Sequence, residues 1–141
     1  MSLLRNPNFE AGFSPWQRIN FANNVTVNVG GSAGPAPYSG SNVAFVISTA
    51  LGGSVGQDVA NVNANSLSAF AYVSGGPSGA LAIWNLTTNV GVAAPFTSQP
   101  GSWLLITNSL DISGTPDADV RVEIYVNTIG SQLMIDNVNL F

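Results

Sequence analysis

One stretch near the end of the chain carries side chains suited to holding a polar ligand. From Val120 to Asn127 apolar residues alternate with polar ones, and Arg121, Glu123 and Tyr125 fall on the polar side. A period of two is typical of a strand with one buried face, so we expect these three side chains to share an outer surface. There the guanidinium would donate hydrogen bonds to ligand hydroxyls and the carboxylate would accept them. The alternative is a solvated face whose ion pair contributes little to stability.

Aromatic residues in neighbouring stretches extend this hypothesis. Tyr72, or Phe70 beside it, and Trp84 lie in two other strand-like segments, and exposed rings on a sheet can stack on the apolar face of a pyranose. We expect Tyr72 and Trp84 to join the surface of Arg121, although such rings are also ordinary cross-strand packing partners. Trp103 begins an apolar strand, which predicts a place in the core.

The residue types present leave little room for catalysis. The chain contains neither histidine nor cysteine, so nucleophile and base arrangements built on those residues are excluded. Asp58, Glu10 and Glu123 are candidates for the carboxylate pair of a glycosidase. Nothing in their spacing places two of them across a cleft, so we expect a protein that is not an enzyme.

Composition narrows the possible partners. Only 7% of the 141 residues are charged and the net charge is -4 with three basic residues, which argues against binding of a nucleic-acid backbone. No apolar run reaches the length of a membrane span. The first residues do not resemble a signal peptide, so either the protein is not exported by that route or a leader has been removed. A surface rich in Asn, Ser, Thr and Gly suggests an extracellular or surface-associated location.

Short strands at roughly ten-residue spacing, separated by Gly- and Pro-rich turns, predict an all-β antiparallel sandwich formed by a single domain, residues 1–141. No segment shows a helical stripe. The glycine-containing segment 128–131 suggests that the last two strands form a hairpin. The predicted strands are 24–29, 42–49, 53–59, 66–73, 80–88, 102–112, 120–127 and 132–141.

Four motifs in register resemble carbohydrate-binding modules of families 4, 9 and 22. The segment Asn6-Pro7-Asn8-Phe9-Glu10-Ala11-Gly12 followed by Trp16 is similar to their N-x-x-F-E-x-G...W opening. A strand of these families is similar to Tyr38-Ser39-Gly40-Ser41-Asn42-Val43-Ala44-Phe45-Val46. Their G-x-W motif is similar to Gly101-Ser102-Trp103. Their closing I-D-D-V-x-L is similar to Ile135-Asp136-Asn137-Val138-Asn139-Leu140.

The resemblance implies a galactose-binding-like jelly roll whose concave sheet holds a glycan. It also implies a structural Ca²⁺ ion near the meeting of the two ends of the chain, with Glu10 and Asp136 as carboxylate ligands and carbonyls from Asn8, Ser41 and Asp136. Calcium takes six to eight oxygen ligands. The usual loop acid is missing between residues 38 and 42, and Asn137 replaces the second aspartate, so we expect a weaker site.

Two functions remain open. The first is a non-catalytic domain that binds a poly- or oligosaccharide. The second is a structural or self-assembling surface protein of a spore, cell-surface or phage-tail layer on the same fold, which would form a homo-oligomer. A nearly uncharged surface favours the second, because it removes the repulsion that keeps domains apart.

Overall fold

The computed structural model describes residues 2–32 and 34–141, which form ten strands and one short 3-10 helix, Ala22–Asn24. Among these residues no helix is long and apolar enough to cross a membrane. The strands are β1 Gln17–Arg18, β2 Val25–Gly30, β3 Val43–Ser48, β4 Gly53–Val62, β5 Ser66–Ser74, β6 Ser78–Asn85, β7 Val90–Thr97, β8 Leu104–Asp111, β9 Ala118–Val126 and β10 Leu133–Leu140.

The described strands form two five-stranded antiparallel sheets. Sheet A has the order β1-β4-β9-β6-β7 and sheet B the order β2-β3-β10-β5-β8. The predicted antiparallel sandwich is therefore confirmed, and all eight predicted strands are present. The sequence pattern missed β1, which has only two residues, and β7, in which Gly91 and Pro95 interrupt the alternation that marks a strand.

The predicted closing hairpin is wrong. Strand β9 lies between β4 and β6 in sheet A, whereas β10 lies between β3 and β5 in sheet B. The segment 127–132 therefore carries the chain from one sheet to the other. A glycine-containing turn is compatible with a hairpin and with a crossing between sheets, because the turn does not determine which strands its two neighbours pair with.

The core lies between the inner faces of the two sheets. On β9 the side chains of Val120, Val122, Ile124 and Val126 are fully buried, as their alternation predicts. Strand β5 faces them from sheet B with an equally buried set, Leu67, Ala69, Ala71 and Val73. This packing forces the intervening residues of β9 and β5 onto the two outer faces of the sandwich.

The sequence context places Trp103 in the core, but the tryptophan found there is Trp16. Trp16 is 3% exposed, packs on Phe9 with ring centroids 5.3 Å apart and donates from Nε1 to the carbonyl of Asn6 at 2.9 Å. Trp103 is only half-buried, and its Nε1 donates to the Ala36 carbonyl at 2.7 Å. The prediction of a core Trp103 is wrong because the residue precedes β8 and holds a loop instead.

That loop, residues 34–42, lies against the outer side of sheet B. Tyr38 stacks on Tyr72 of β5 with ring centroids 3.5 Å apart. The Ser39 amide donates to Asp136 of β10 at 2.9 Å. We call this segment the 34–42 loop. Its contacts with Tyr72, Asp136 and Trp103 tie it to β5, to β10 and to the start of β8.

Candidate functional site

A cleft of about 280 Å³ opens on the outer face of sheet A. Arg121, Glu123 and Tyr125 enter it from β9, which confirms that they share one surface. Trp84 enters from the neighbouring β6, where it pairs with Arg121 in the strand register. The complete lining is Ile19, Asn20, Trp84, Leu86, Asn89, Arg121, Glu123 and Tyr125.

The position of Trp84 is set from two sides. A Cβ atom built on Gly91 of β7 would lie 2.4–2.7 Å from atoms of the indole, so the ring rests directly against the glycine backbone. On the other side, the indole Nε1 donates to the Tyr125 hydroxyl at 3.2 Å. Trp84 and Tyr125 therefore form one hydrogen-bonded aromatic pair, and Gly91 is a determinant of the site that sequence reasoning missed.

The partner of Arg121 is Asp58, one of the three candidate acids in the sequence. The guanidinium Nε donates to Asp58 Oδ1 at 2.6 Å and Nη2 donates to Oδ2 at 3.1 Å. The pairing follows from β4 lying next to β9, where Asp58 is directly opposite Arg121. This two-point contact leaves three of the five guanidinium N–H groups for a ligand or water.

Glu123 is more deeply placed than its neighbours in the cleft. Its side chain is 3% exposed and accepts a short hydrogen bond from the hydroxyl of Ser54, itself fully buried on β4. A glutamate was expected to accept directly from ligand hydroxyls. It lies instead behind the aromatic pair, close enough to contribute to the raised pKa of Tyr125.

The Tyr125 hydroxyl is strongly held in its neutral form. Burial raises the pKa of Tyr125 to about 12, and the negative charge of Glu123 adds to the shift. The hydrogen bond from Trp84 and the positive charge of Arg121 oppose it. At neutral pH the phenol is therefore protonated and can donate a hydrogen bond while it accepts one from the indole.

The expectation that Tyr72 belongs to this surface is wrong. Tyr72 lies on β5 in sheet B, with its side chain on the outer face of that sheet beside Phe70. The core therefore separates both rings from Trp84 and Tyr125. Strand alternation correctly assigned the five proposed binding residues to outer faces. It did not reveal that four of them lie on sheet A and Tyr72 lies on sheet B.

The proposed calcium ligands come together where the first and last segments meet. Leu3 donates its amide to the Leu140 carbonyl at 2.7 Å, and Val138 donates to Pro7 at 3.0 Å. Glu10 reaches from the first segment to the 34–42 loop, where its carboxylate accepts from the amides of Ser41 at 2.5 Å and Asn42 at 2.8 Å.

Two features of this region suit a cation. Asp136 is fully buried, and its carboxylate accepts from the amides of Ser39 and Asn137 without a cationic partner among the described side chains. Burial raises the pKa of Asp136, and the nearby charge of Glu10 raises it further. In addition, Asn8 Oδ1 is buried and accepts no hydrogen bond from the described residues.

These donors are all oxygens, the type that Ca²⁺ prefers. Across residues 2–32 and 34–141, however, no three acidic, histidine or cysteine side chains lie close together. A metal here would need main-chain carbonyl or amide oxygens in addition to Glu10 and Asp136. The two carboxylates fit a calcium ion. Asn8 Oδ1 is available as a further ligand, because it accepts no hydrogen bond from the described residues.

No protein-family model and no curated protein sequence matches the chain. Among solved structures, a family 61 carbohydrate-binding module in complex with β-1,4-galactotriose is 19% identical, with a TM-score of 0.73 over 100% of this chain and 98% of that one. The family 22 carbohydrate-binding and GH10 modules of endo-1,4-β-D-xylanase 10B from Clostridium thermocellum, complexed with xylohexaose, are 12% identical, with a TM-score of 0.72 over 100% of this chain and 28% of that one.

The enzymatically active domain of tailspike protein 4 from bacteriophage CBA120 is also similar, at 13% identity and a TM-score of 0.70 over 99% of this chain and 21% of that one. At these identities the likeness concerns the fold alone. The fold is that of the carbohydrate-binding modules, a galactose-binding-like jelly roll, as the four motifs implied.

Proposed function

We propose that the chain is a non-catalytic domain that binds a poly- or oligosaccharide in the cleft of sheet A. The observation that carries this proposal is the combination, in one cleft, of the Trp84–Tyr125 pair with the guanidinium of Arg121. Aromatic rings stack on the apolar face of a sugar, while N–H and O–H groups around them bond to its hydroxyls. The carbohydrate-binding modules that share the fold support the same conclusion.

Each cleft residue has a distinct role in this proposal. Trp84 provides the stacking surface, whose orientation is fixed by Gly91 and by Tyr125. Tyr125 and Arg121 donate hydrogen bonds to sugar hydroxyls, and Asp58 holds the guanidinium at the rim. Glu123, buried behind them, accepts a hydrogen bond from Ser54 and lies beneath the cleft floor.

The carboxylates support binding without cleavage. A glycosidase needs one acid that protonates the leaving group and a second carboxylate across the scissile bond. Here Asp58 forms an ion pair with Arg121, and Glu123 is bonded to Ser54 beneath the surface. In the proposed function both acids are structural, and the protein binds glycans at an extracellular or surface location.

Isothermal titration with xylohexaose and β-1,4-galactotriose tests the proposal. Wild type should bind at least one of the two. Trp84→Ala should weaken that binding by about 2 kcal/mol, roughly thirtyfold, as expected for a central aromatic contact. Trp103→Phe, a change outside the cleft, should leave binding in the cleft like that of wild type.

If wild type binds no sugar in these titrations or on a broad glycan array, the saccharide proposal is wrong. The self-assembling surface protein is then the better candidate. Light scattering on the purified chain measures that alternative directly, because self-assembly would give a mass that grows with concentration.

We also propose that Glu10 and Asp136 hold a structural Ca²⁺ ion, with Asn8 and main-chain oxygens including that of Ser41 completing the set. The ion would supply positive charge between two carboxylates, one of which is buried without a cationic partner among the described residues. Its role would be to fasten the first segment and the 34–42 loop to β10. The cleft lies on the opposite sheet, so the ion would take no direct part in sugar binding there.

A further inference from the structure

A second groove lies on the outer face of sheet B, on the opposite side of the molecule from the cleft. It has a volume of about 550 Å³ and lies over the paired strands β5 and β8. Phe70 pairs with Thr107 across these strands and Ser68 pairs with Ser109, so all four side chains point to the same outer face. We call this the β5–β8 groove.

Its chemistry is that of a surface for an uncharged, hydroxyl-rich ligand. The hydroxyls of Ser68, Thr107 and Ser109 are exposed, and none bonds to another described residue. They can therefore donate to or accept from a ligand at no cost in internal hydrogen bonds. Strands β5 and β8 carry one charged side chain between them, Asp111 at the far end of β8.

The groove is bordered by a continuous row of aromatic rings. Phe70 stacks with Phe141 at a centroid distance of 5.8 Å and meets Tyr72 edge to face at 6.3 Å. Tyr72 in turn stacks with Tyr38 of the 34–42 loop. The outermost rings, Tyr38 and Phe141, are 48% and 45% exposed. Each exposed ring is backed by a second ring from β5, which holds it in place.

Contiguous exposed apolar surface is typical of ligand- and partner-binding sites. A purely apolar partner would leave the three hydroxyls without hydrogen-bond partners when it covered them, which is unfavourable. A charged polymer would find no countercharge. A sugar chain presents both an apolar ring face and hydroxyls, and so matches the rings and the hydroxyl row together.

We propose that the β5–β8 groove is a second saccharide-binding surface for a neutral glycan, with Phe70 and Phe141 as stacking rings and Ser68, Thr107 and Ser109 as hydrogen-bond partners. It shares no residue with the cleft of sheet A. The two surfaces can therefore be tested, and can fail, separately. Together they would allow one molecule to contact two glycan chains on opposite sides.

Chemical-shift mapping on isotope-labelled protein tests the groove directly, with xylohexaose, cellohexaose and β-1,4-galactotriose as probes. Saturable shifts are expected at the amides of Phe70 and Thr107 with at least one probe, and they should persist in Trp84→Ala. Phe70→Ala should weaken binding at the groove by about tenfold and leave the Trp84 indole signal responsive to sugar. Thr26→Ala, an exposed change elsewhere on sheet B, serves as the control.

Two results would overturn the proposal. One is the absence of saturable shifts at the groove with every probe at millimolar concentration, whether or not the Trp84 signals respond. The other is a wild-type dimer in light scattering that Phe70→Ala converts to monomer, since the face would then belong to a second copy of the chain. Shifts confined to the groove would support it and remove the cleft from the proposed function instead.

Discussion

Trp84 and Tyr125 fix each other across two strands, and this pairing determines what the cleft can offer a ligand. The indole N–H is used by the Tyr125 oxygen, so the sugar would receive the ring face of Trp84 and the hydroxyl proton of Tyr125. Such an arrangement is preorganised, because neither side chain needs to be ordered by the ligand.

The ionisation of Tyr125 provides a test of this environment. Its pKa is raised from 10.0 to about 12, so between these values the folded state holds a proton that the unfolded chain releases. The stabilisation from this group is therefore complete below pH 10 and lost as the pH rises through about 12. Tyrosinate absorbance should show a transition near pH 12 that Tyr125→Phe removes. If the two proteins differ only in a transition near pH 10, the phenol is not buried as described.

The two tryptophans outside the cleft should respond differently to truncation. Trp16→Ala leaves a cavity beside Phe9 and removes a hydrogen bond to Asn6, so we expect a loss of about 3–5 kcal/mol. Trp103→Ala releases the 34–42 loop at Ala36 but empties no core space, so the loss should be about 1 kcal/mol. Urea denaturation of both variants measures the difference. Equal losses would place Trp103 in the core after all.

At the scale of strands, the sequence allowed a prediction of which sheet face each side chain occupies, but not of which strands lie side by side. Alternation on β9 correctly put Arg121 outside and Val122 inside, because side-chain direction follows from the backbone of a single strand. The ion pair with Asp58 and the separation of Tyr72 from Trp84 depend on which strands lie side by side. Those pairings join residues far apart in the chain, and the periodicity of one segment contains no information about them.

Strand β7 illustrates the same limit and gives a further prediction. Gly91 weakens the strand pattern, yet it is the residue that makes room for Trp84. A methyl group at this position must displace the indole. Gly91→Ala should therefore reduce sugar affinity about tenfold while changing the stability by no more than about 1–3 kcal/mol. Titration and melting measure the two effects.

Gly30→Ala is the matched control, since a Cβ atom on Gly30 would meet no atom within 4 Å and the residue has no positive φ. It should leave affinity unchanged. Unaltered affinity in Gly91→Ala would mean that the orientation of Trp84 does not matter for binding.

For the whole molecule, the proposed calcium ion would join parts of the chain that are distant in sequence. A ligand that binds only the folded state at a hundredfold excess over its dissociation constant stabilises by about 2.7 kcal/mol. Calcium should raise the melting temperature by several degrees relative to chelator, and Asp136→Asn should abolish that difference. Asp111→Asn, at an exposed acid on β8, should retain it. Identical wild-type melting curves with calcium and with chelator would exclude the site.

The order of the strands also has a consequence for how the chain reaches this fold. Of the eight strand pairings among the described residues, only β2 with β3 and β6 with β7 join strands that are consecutive in sequence. Every other pairing requires the closure of a long loop before its contacts form, which places such proteins among the slow folders, on the order of milliseconds to seconds. The β6–β7 hairpin, with Trp84 lying across Gly91, is one of two units able to form early. The rest of sheet A must then wait for β9, whose two partners are the preceding β4 and β6.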